Sequence, residues 1–250
     1  MKKNLVIVCT HGDEEIGLNA VRELKDKLNF DVLIGNHIAL KKHVRFIDAD
    51  LNAVAPGNLK SKHYEERRAV QIIKKGLKYE HVLDIHGTVA KSGIFTIIPK
   101  MTKENVIFAL QLPINNIVII EDEKEDKGSI TKFFKRGLGI EIGPKNNKKS
   151  LLGTIKKLNI INKDLPYYKY ELDKTGVNTL IKKKNFYFMY GILDPKNIVN
   201  PKNKMMDFVL YKNGKESFYP IIPGEYNKKY YYKARKIKKN QITKILNSTL

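Results

Sequence analysis

The segment THGDE, residues 10–14, carries residue types that bind metal ions. His11 and Glu14 lie three residues apart in a loop that follows an apolar run, and Gly12 lets the backbone turn sharply. A neutral imidazole and a carboxylate are good zinc ligands, so the two side chains can share one metal centre. In the alternative interpretation, Asp13 or Glu14 only begins a helix beside a polar histidine.

A second segment, DIHGT, ends another apolar run in His86 and Gly87. Asp84 and His86 are two residues apart, so both side chains lie on one side of a strand. Asp84 either supports the site as a carboxylate that contacts a metal ligand and not the metal itself, or it hydrogen-bonds nearby backbone. Both interpretations stay open at this point.

In the segment GIEIGP, Glu141 stands between two isoleucines. Burying a carboxylate in an apolar strand is costly unless the group is paired or functional. Beside a metal ion, such a glutamate can take a proton from water and pass it to a leaving nitrogen. Exposure at a sheet edge is the alternative.

A fourth segment, RFIDADLN, begins with Arg45 and ends with Asn52. Arg45 is suited to polarise a substrate carbonyl and to stabilise the oxyanion that develops on it. Asn52 is suited to hold a substrate carboxylate. The alternative is a surface loop held together by Arg–Asp pairing.

Alternating strands and helices are expected to position these four segments. The apolar patterns predict strands at residues 4–9, 30–35, 81–85, 93–98, 117–120 and 138–142, and helices at 14–28, 64–77 and 129–135. This alternation indicates an α/β architecture, with a mainly parallel or mixed sheet flanked by helices. In open sheets of this kind, sites form outside the carboxyl ends of the strands.

After about residue 150 the pattern changes. A polar helix is predicted at residues 151–157, followed by short β-like runs at 186–189, 208–211 and 218–222 with a turn at Asn213-Gly214. The second half therefore reads as a small, mostly-β appendage. We expect an α/β domain over residues 1–150 and a basic C-terminal region over 151–250 that completes the substrate site.

The net charge of +21 is concentrated in the second half, where residues 151–250 contain 21 Lys and Arg but only seven Asp and Glu. Such an excess is typical of a surface for anionic partners, or of a general bias towards Lys, Asn and Ile. There are six arginines in the chain and no recognisable nucleic-acid motif. We therefore expect no nucleic-acid partner.

The single cysteine, Cys9, cannot form an internal disulfide, which fits a reducing compartment. It is interpreted as a small buried core residue rather than a metal ligand. The apolar run that ends there is too short for a signal peptide, and no run reaches the roughly 18 residues of a membrane helix. A cytoplasmic protein without membrane insertion is expected.

Five pieces occur in order between residues 4 and 145: THGDE, RFIDADLN followed by PGN, YEERRA, DIHGT and GIEIGP. In this order they resemble the succinylglutamate desuccinylase and aspartoacylase family, within the wider zinc carboxypeptidase-like group. The resemblance implies one Zn²⁺ per chain, held by His11, Glu14 and His86 with one position open for water. It also implies that Glu141 is the general base and that Arg45 polarises the carbonyl.

The same resemblance gives Asn52 a substrate-anchoring role and, more loosely, makes Tyr226 a substrate-site tyrosine. One departure concerns the substrate: the family typically has arginine after the asparagine, whereas this chain has Ala53. An arginine there would pair with a substrate carboxylate.

A second arginine of the aspartoacylases is also missing before Ser129, where this chain has Gly128. The nearby cations Lys132, Lys135 and Arg136 are possible substitutes.

The implied activity is hydrolysis of the amide bond of a small N-acyl amino acid or a related compound. Two alternatives remain. The same residues would serve a metallocarboxypeptidase-like peptidase, and a basic C-terminal region without catalysis would bind an anionic polymer. Under the leading interpretation the partner is a small acylated amino acid.

Overall fold

The computed structural model describes residues 2–120, 129–169, 171–199, 205–222 and 231–248. The strands are β1 Lys2–Val8, β2 Asp31–Ile34, β3 Tyr79–Gly87, β4 Gly93–Ile98, β5 Asn116–Ile120, β6 Gly137–Gly143, β7 Asn185–Leu193, β8 Tyr211–Asn213, β9 Glu216–Ile221 and β10 Tyr231–Ile237. The helices are α1 Ile16–Arg22, α2 His37–Lys42, α3 Tyr64–Gly76, α4 Lys103–Gln111, α5 Lys148–Asp164, α6 Lys174–Lys182 and α7 Lys239–Ser248.

In the described residues the strands form one sheet in the order β2-β1-β3-β6-β4-β5-β7-β10-β9-β8. Pairing is parallel within the group β2, β1, β3 and β6 and within the group β4, β5 and β7. Pairing is antiparallel between β6 and β4 and along β7, β10, β9 and β8. The predicted α/β architecture with a mixed sheet is therefore confirmed.

Two apolar layers cover the faces of the sheet. On one face, Val6 and Val8 of β1 belong to the large core that also includes side chains from α1, α4, α5, α6 and α7. On the other face, Leu5 and Ile7 pack with Ile72 of α3. Because successive side chains of a strand point to opposite faces, the run LVIV is apolar throughout and buried on both sides.

Several predicted elements differ from the observed ones, and the helix expected at residues 129–135 is only a 3-10 helix over Ile130–Phe133. The helix expected at residues 14–28 is only Ile16–Arg22. Glu14 turns into a buried polar cluster, and after the helix end Lys27 and Asn29 are hydrogen-bonded to Asn162 of α5. The helix expected at 151–157 runs over Lys148–Asp164 and is capped by Asn147. The predicted strand at 208–211 was wrong for its first residues.

Phe208 occupies the left-handed region with a φ of 62°, in a turn rather than a strand. Its ring packs against Phe95 and Tyr187, with centroids 5.3 and 4.8 Å apart, and β8 begins only at Tyr211. The aromatic residue that suggested a strand therefore serves to cover the sheet.

The region after residue 150 continues the same sheet through β7, which pairs in parallel with β5. The proposed division into two domains at that point stays a prediction. Within the described residues, no helix is long and apolar enough to cross a membrane.

Candidate metal centre

The side chains of His11, Glu14 and His86 meet in one buried cluster. One potential ligand atom from each lies within 4.8 Å of the other two. The Nδ1 atom of His11 is 2.9 Å from Glu14 Oε1, and the Nδ1 atom of His86 is 3.0 Å from Glu14 Oε2. The structure thus brings together the three residues that the sequence suggested as ligands, and the interpretation of Glu14 as a simple helix start does not describe its environment.

Behind His86 lies Asp84. Its Oδ2 atom is 2.9 Å from His86 Nε2, and its Oδ1 atom accepts a hydrogen bond of 2.7 Å from the Thr10 hydroxyl. Of the two interpretations left open by the sequence, support of the histidine is the one that the geometry favours. A carboxylate in this position fixes the ring and leaves the opposite nitrogen to face a metal ion.

Asp50 has the corresponding position at His11. Its Oδ1 atom lies 3.2 Å from His11 Nε2, and its Oδ2 atom accepts a hydrogen bond of 3.3 Å from Arg45. Arg45 also donates a hydrogen bond of 2.8 Å to Glu14. Arg–Asp pairing is therefore present, but it takes place at the cluster, with 26% of the Arg45 side chain exposed.

The loop that carries His11 has an unusual backbone. Cys9 has a φ of 53°, which turns the chain out of β1 immediately before Thr10 and His11. A Cβ atom on Gly12 would overlap backbone atoms of Ala39 and Leu40, so only glycine allows this close approach. The Gly12 amide donates to the carbonyl of Arg45 at 3.1 Å, which joins the two loops.

Glu65, the first glutamate of YEERRA, anchors the loop that follows Arg45. Its fully buried carboxylate accepts hydrogen bonds from the amides of Ile47, Asp48 and Ala49 at 2.7, 3.0 and 3.3 Å. It also accepts one of 2.8 Å from the Asn36 side chain. One carboxylate thereby fixes the backbone that carries Arg45 and Asp50 to the cluster.

The carboxylates control the protonation of the two histidines. Burial alone opposes a charged ring, but Glu14 and Asp50 outweigh it and raise the pKa of His11 to about 9. Burial acts in the same way on His86, where Asp84 and Glu14 raise the pKa well above its usual value. For Glu14, burial is outweighed by both histidines, which hold its pKa well below the usual range.

These residues fit a divalent cation. The carboxylates of Glu14, Asp50 and Asp84 and the guanidinium of Arg45 leave two negative charges when both imidazoles are neutral, and a divalent cation balances that charge. Two nitrogens and one carboxylate oxygen form a donor set typical of zinc sites with an open position. A bound cation would replace the protons that the histidines otherwise hold.

Glu141 lies beside this cluster on β6. It pairs in register with His86 of β3 and, on the other side, with Phe95 of β4. Residues paired in register share a face of the sheet, so Glu141 and His86 point in the same direction. Because β6 lies inside the sheet, exposure at an edge is excluded, and the half-buried Glu141 lines a cavity instead.

The cavity has a volume of about 420 Å³ and opens beside the candidate metal-binding cluster. Asn52 and Ala53 line it. The Asn52 Nδ2 atom is 3.5 Å from His86 Nε2, while its Oδ1 atom accepts a hydrogen bond of 3.0 Å from the Ile130 amide. Asn52 thus holds the segment at residue 130 against the cluster, in addition to facing the cavity.

The sequence also suggested four further residues for substrate binding: Tyr226, Lys132, Lys135 and Arg136. Tyr226 lies outside the described residues, so its predicted role stays a prediction. Lys132, Lys135 and Arg136, suggested as substitutes for a missing arginine, are not among the described residues that line the cavity. Tyr232 of β10 does line it.

The sequence interpretation missed three residues: Asp50, Glu65 and Tyr232. A signal existed for two of them, because Asp50 stands in RFIDADLN and Glu65 in YEERRA. Cys9 is confirmed as a buried residue, and burial raises the pKa of its thiol to about 12. A thiol in that state is a poor metal ligand.

The comparisons with known proteins agree with this architecture. Residues 1–155 match the model of the succinylglutamate desuccinylase/aspartoacylase catalytic domain. A probable aspartoacylase of Acaryochloris marina is 27% identical over 164 residues, which cover 58% of this chain and 56% of the relative. An N-acyl-aromatic-L-amino acid amidohydrolase of Xenopus laevis is 27% identical over 166 residues, 56% of this chain and 54% of the relative.

The chain thus matches little more than half the length of these two curated relatives. Among solved structures, murine aminoacylase 3 superposes with a TM-score of 0.73 at 18% identity, covering 94% of this chain and 95% of the other. At that identity the likeness concerns the fold. Since the match to the catalytic-domain model extends over more than half of the chain, the chain belongs to the succinylglutamate desuccinylase/aspartoacylase family.

Proposed function

We propose that this chain is a zinc-dependent amidohydrolase that cleaves the amide bond of a small N-acyl amino acid. The observation that carries the proposal is the buried group of His11, Glu14 and His86, whose ligand atoms lie within 4.8 Å of one another at one end of a cavity. Relatives in the same family are described as a probable aspartoacylase and an N-acyl-aromatic-L-amino acid amidohydrolase.

One Zn²⁺ per chain would be held by His11, Glu14 and His86. When bound, zinc supplies a Lewis acid that makes water a nucleophile near neutral pH. Asp84 and Asp50 orient the two imidazoles through their second nitrogens. The chain itself therefore contributes both the ligands and the groups that aim them.

Two further side chains would carry the reaction. Glu141 faces the cavity next to His86 and takes the proton of the attacking water, then passes it to the amide nitrogen as the C–N bond breaks. Arg45 stabilises the negative charge that develops on the carbonyl oxygen. Its contacts with Glu14 and Asp50 hold the guanidinium at the edge of the cluster, where a substrate carbonyl would meet it.

Substrate binding involves Asn52 and, by resemblance, Tyr226. Asn52 lines the cavity close to His86, in a position to donate to a substrate carboxylate. Ala53 follows it and offers no charge. The proposed substrate is a small acylated amino acid, and the proposed site of action is the cytoplasm.

Metal content and hydrolysis test the proposal together. Purified protein should hold about one zinc ion per chain and release amino acid from N-acyl amino acids, measured by elemental analysis and by amine detection. His86→Ala should lose most of the zinc and the activity. His37→Ala is the matched control, because His37 lies away from the cluster and contacts Tyr64.

A wild-type protein without tightly bound divalent metal would contradict the proposal. Full zinc occupancy in His86→Ala would remove that residue from the ligand set.

A further inference from the structure

The cavity beside the candidate metal centre has two chemically different halves. The polar half contains the cluster already described together with Glu141. The other half is formed by apolar or aromatic side chains from β4, β5, β7, β9 and β10. Phe95, Ile97, Val118, Ile120, Met189 and Tyr232 lie on β4, β5, β7 and β10, whereas Ile221 ends β9 and Ile222 follows it.

The apolar half is the continuation of the sheet face that carries the metal-binding residues. Glu141 of β6 pairs with Phe95 of β4, Ile97 of β4 pairs with Val118 of β5, and Ile120 of β5 pairs with Met189 of β7. Neighbouring strands lie about 4.8 Å apart. Three such steps lead from β6 to β7. The apolar wall, formed by the side chains of β4, β5 and β7 on this face, therefore extends roughly 14 Å from Glu141.

Gly139 keeps the two halves connected. It lies on β6 between Asp84 of β3 and Ile97 of β4, on the same face as both. With no side chain at this position, Gly139 does not separate the polar cluster from Ile97. A Cβ atom there would approach the Cβ atom of Ile97 to 3.3 Å.

The side chains of the apolar half differ in how far they are exposed to solvent. Phe95 and Val118 are fully buried, and Phe208 packs on Phe95, so they form a closed floor. Ile97 and Ile120 are half-buried and line the open space. An incoming ligand would therefore contact aliphatic side chains that water still reaches, and covering them is favourable.

The distribution of charged residues around the cavity also favours an apolar ligand group over this half. Among the lining residues that the structure describes, the permanently charged cation is Arg45, which lies at the polar end and is bound to Glu14 and Asp50. A carboxylate placed over Ile97, Val118, Ile120 and Met189 would lose hydration without gaining a hydrogen bond or a cationic partner from these four side chains. The volume of about 420 Å³ lies within the range of about 300–1,000 Å³ typical of small-molecule sites, so the cavity has room for an arm over the wall.

We propose that the substrate has a neutral, apolar arm, which lies on the sheet face formed by Ile97, Val118, Ile120 and Met189 while its amide lies at the metal centre. This rests on the proposed amidohydrolase function and narrows its substrate class. The arm is either the acyl chain or the side chain of the amino acid, since both offer the same apolar chemistry to the wall.

Two substrate series distinguish the sources. In the first, the acyl chain of an N-acyl-alanine grows from acetyl to butanoyl to hexanoyl. In the second, N-acetyl-alanine is compared with N-acetyl-leucine and N-acetyl-phenylalanine. Burial of a methylene group is worth about a fourfold change in an equilibrium constant, so kcat/KM should rise about that much per methylene along one series.

A pair of variants on one strand provides the structural control. Ile97→Ser removes apolar surface from the wall, whereas Ile94→Ser changes a half-buried isoleucine on the opposite face of β4. Ile97→Ser should reduce kcat/KM on the longest substrate of the favoured series at least about fivefold more than it reduces kcat/KM on N-acetyl-alanine. Ile94→Ser should show no such dependence on substrate length.

Binding measurements separate this inference from the proposed activity. Calorimetry with hexanoate, acetate, phenylalanine and alanine reports on the wall without turnover. One outcome is that the chain cleaves no amide, that hexanoate or phenylalanine binds more tightly than its short counterpart, and that Ile97→Ser removes this difference in affinity. This outcome would support the apolar binding site and contradict the hydrolytic function.

If both substrate series are flat and N-acetyl-aspartate is the best substrate, the hydrolytic function stands and the apolar arm is excluded. Equal effects of Ile97→Ser and Ile94→Ser on the long substrates would also overturn the inference, since they would show a general loss of stability.

Discussion

The Nε2 atom of His86 lies 2.9 Å from the Oδ2 atom of Asp84, which stands two residues earlier on the same face of β3. This contact leaves Nδ1 of the same ring directed at Glu14, 3.0 Å away. The orientation of one candidate ligand is thus set by a residue that does not itself belong to the ligand group.

Asp84→Asn should therefore weaken metal binding while the fold is kept. The amide is nearly the same size as the carboxylate but carries no charge to orient and polarise the imidazole, so zinc affinity should fall about 10- to 100-fold. Competition with a chromogenic chelator measures this. Asp26→Asn, which affects only an exposed pair with Lys163, serves as the control and should leave the affinity unchanged.

Glu141→Gln should separate metal binding from chemistry. The side chain keeps its size beside His86, and since it is proposed as a base and not a ligand, zinc content should stay at the wild-type level. Hydrolysis should fall by at least about 100-fold, the lower range for general acid–base catalysis. Turnover near the wild-type rate would remove Glu141 from the mechanism.

Glu65→Gln should disturb the site from a distance. Glutamine has an NH₂ group in place of one carboxylate oxygen. If the Oε1 atom keeps its partners, this NH₂ group replaces Oε2, which accepts from the amides of Asp48 and Ala49. Hydrogen bonds to a charged group are worth about 1.5–3 kcal/mol, so the free energy of unfolding should fall by about that amount. We also expect kcat to fall at unchanged zinc content, because Arg45 loses its support.

The neighbouring Glu66→Gln provides the comparison, since Glu66 is half-buried on the same helix. An unchanged kcat in Glu65→Gln would show that the loop keeps its position without this carboxylate.

Ala53→Arg tests the recognition of substrate carboxylates. Ala53 is exposed at the cavity, so a longer side chain can be accommodated at its mouth. The wild type should act weakly on N-acetyl-aspartate, and the variant should improve by about 10- to 100-fold, which corresponds to the 1.5–3 kcal/mol of a charge-assisted hydrogen bond. Efficient wild-type cleavage of this substrate, with no gain in the variant, would show that residue 53 does not set carboxylate recognition.

His81 should make the fold sensitive to mild acid. Burial and the charge of Arg136 lower the pKa of His81 from 6.5 to about 4. Between these values the unfolded chain binds a proton that the folded chain does not, so the free energy of unfolding falls as the pH falls through this window. His81→Gln should reduce this loss by up to about 3 kcal/mol.

Urea unfolding at pH 7, 5 and 4 measures the effect. His43→Gln is the control, since the His43 side chain is 76% exposed. If His81→Gln shows the same pH dependence as the wild type, proton uptake by other groups causes the loss.

The sequence alone could predict the features that depend on residues close together in the chain. His11 and Glu14 belong to one loop and His86 lies near the end of a strand that is buried almost throughout, so local patterns were sufficient to identify them. The strands β1, β3, β4, β5 and β6 were predicted within a few residues of their observed bounds for the same reason. Their neighbours in the sheet follow from crossovers that no local pattern specifies.

Longer contacts escaped the sequence analysis. Glu65 binds amides 16 to 18 residues earlier in the chain. The motif YEERRA drew attention to this position, but it contains Glu66 as well and does not show which of the two is buried. The apolar half of the cavity combines β4, β5, β7, β9 and β10, whose order became apparent only in the folded sheet. Phe208 was assigned to a strand because its aromatic ring has the same propensity whether it extends a sheet or covers one.

The position of β1 next to β3 has a consequence for how the molecule assembles. His11 and Glu14 follow β1, and His86 is part of β3, so pairing of these two parallel strands brings the whole candidate ligand group together. Glu141 joins only when β6 is added, and the apolar wall only when the later strands have been added. During folding, capture of the proposed metal ion would therefore need only the N-terminal third of the chain, whereas the complete cavity needs nearly all of it.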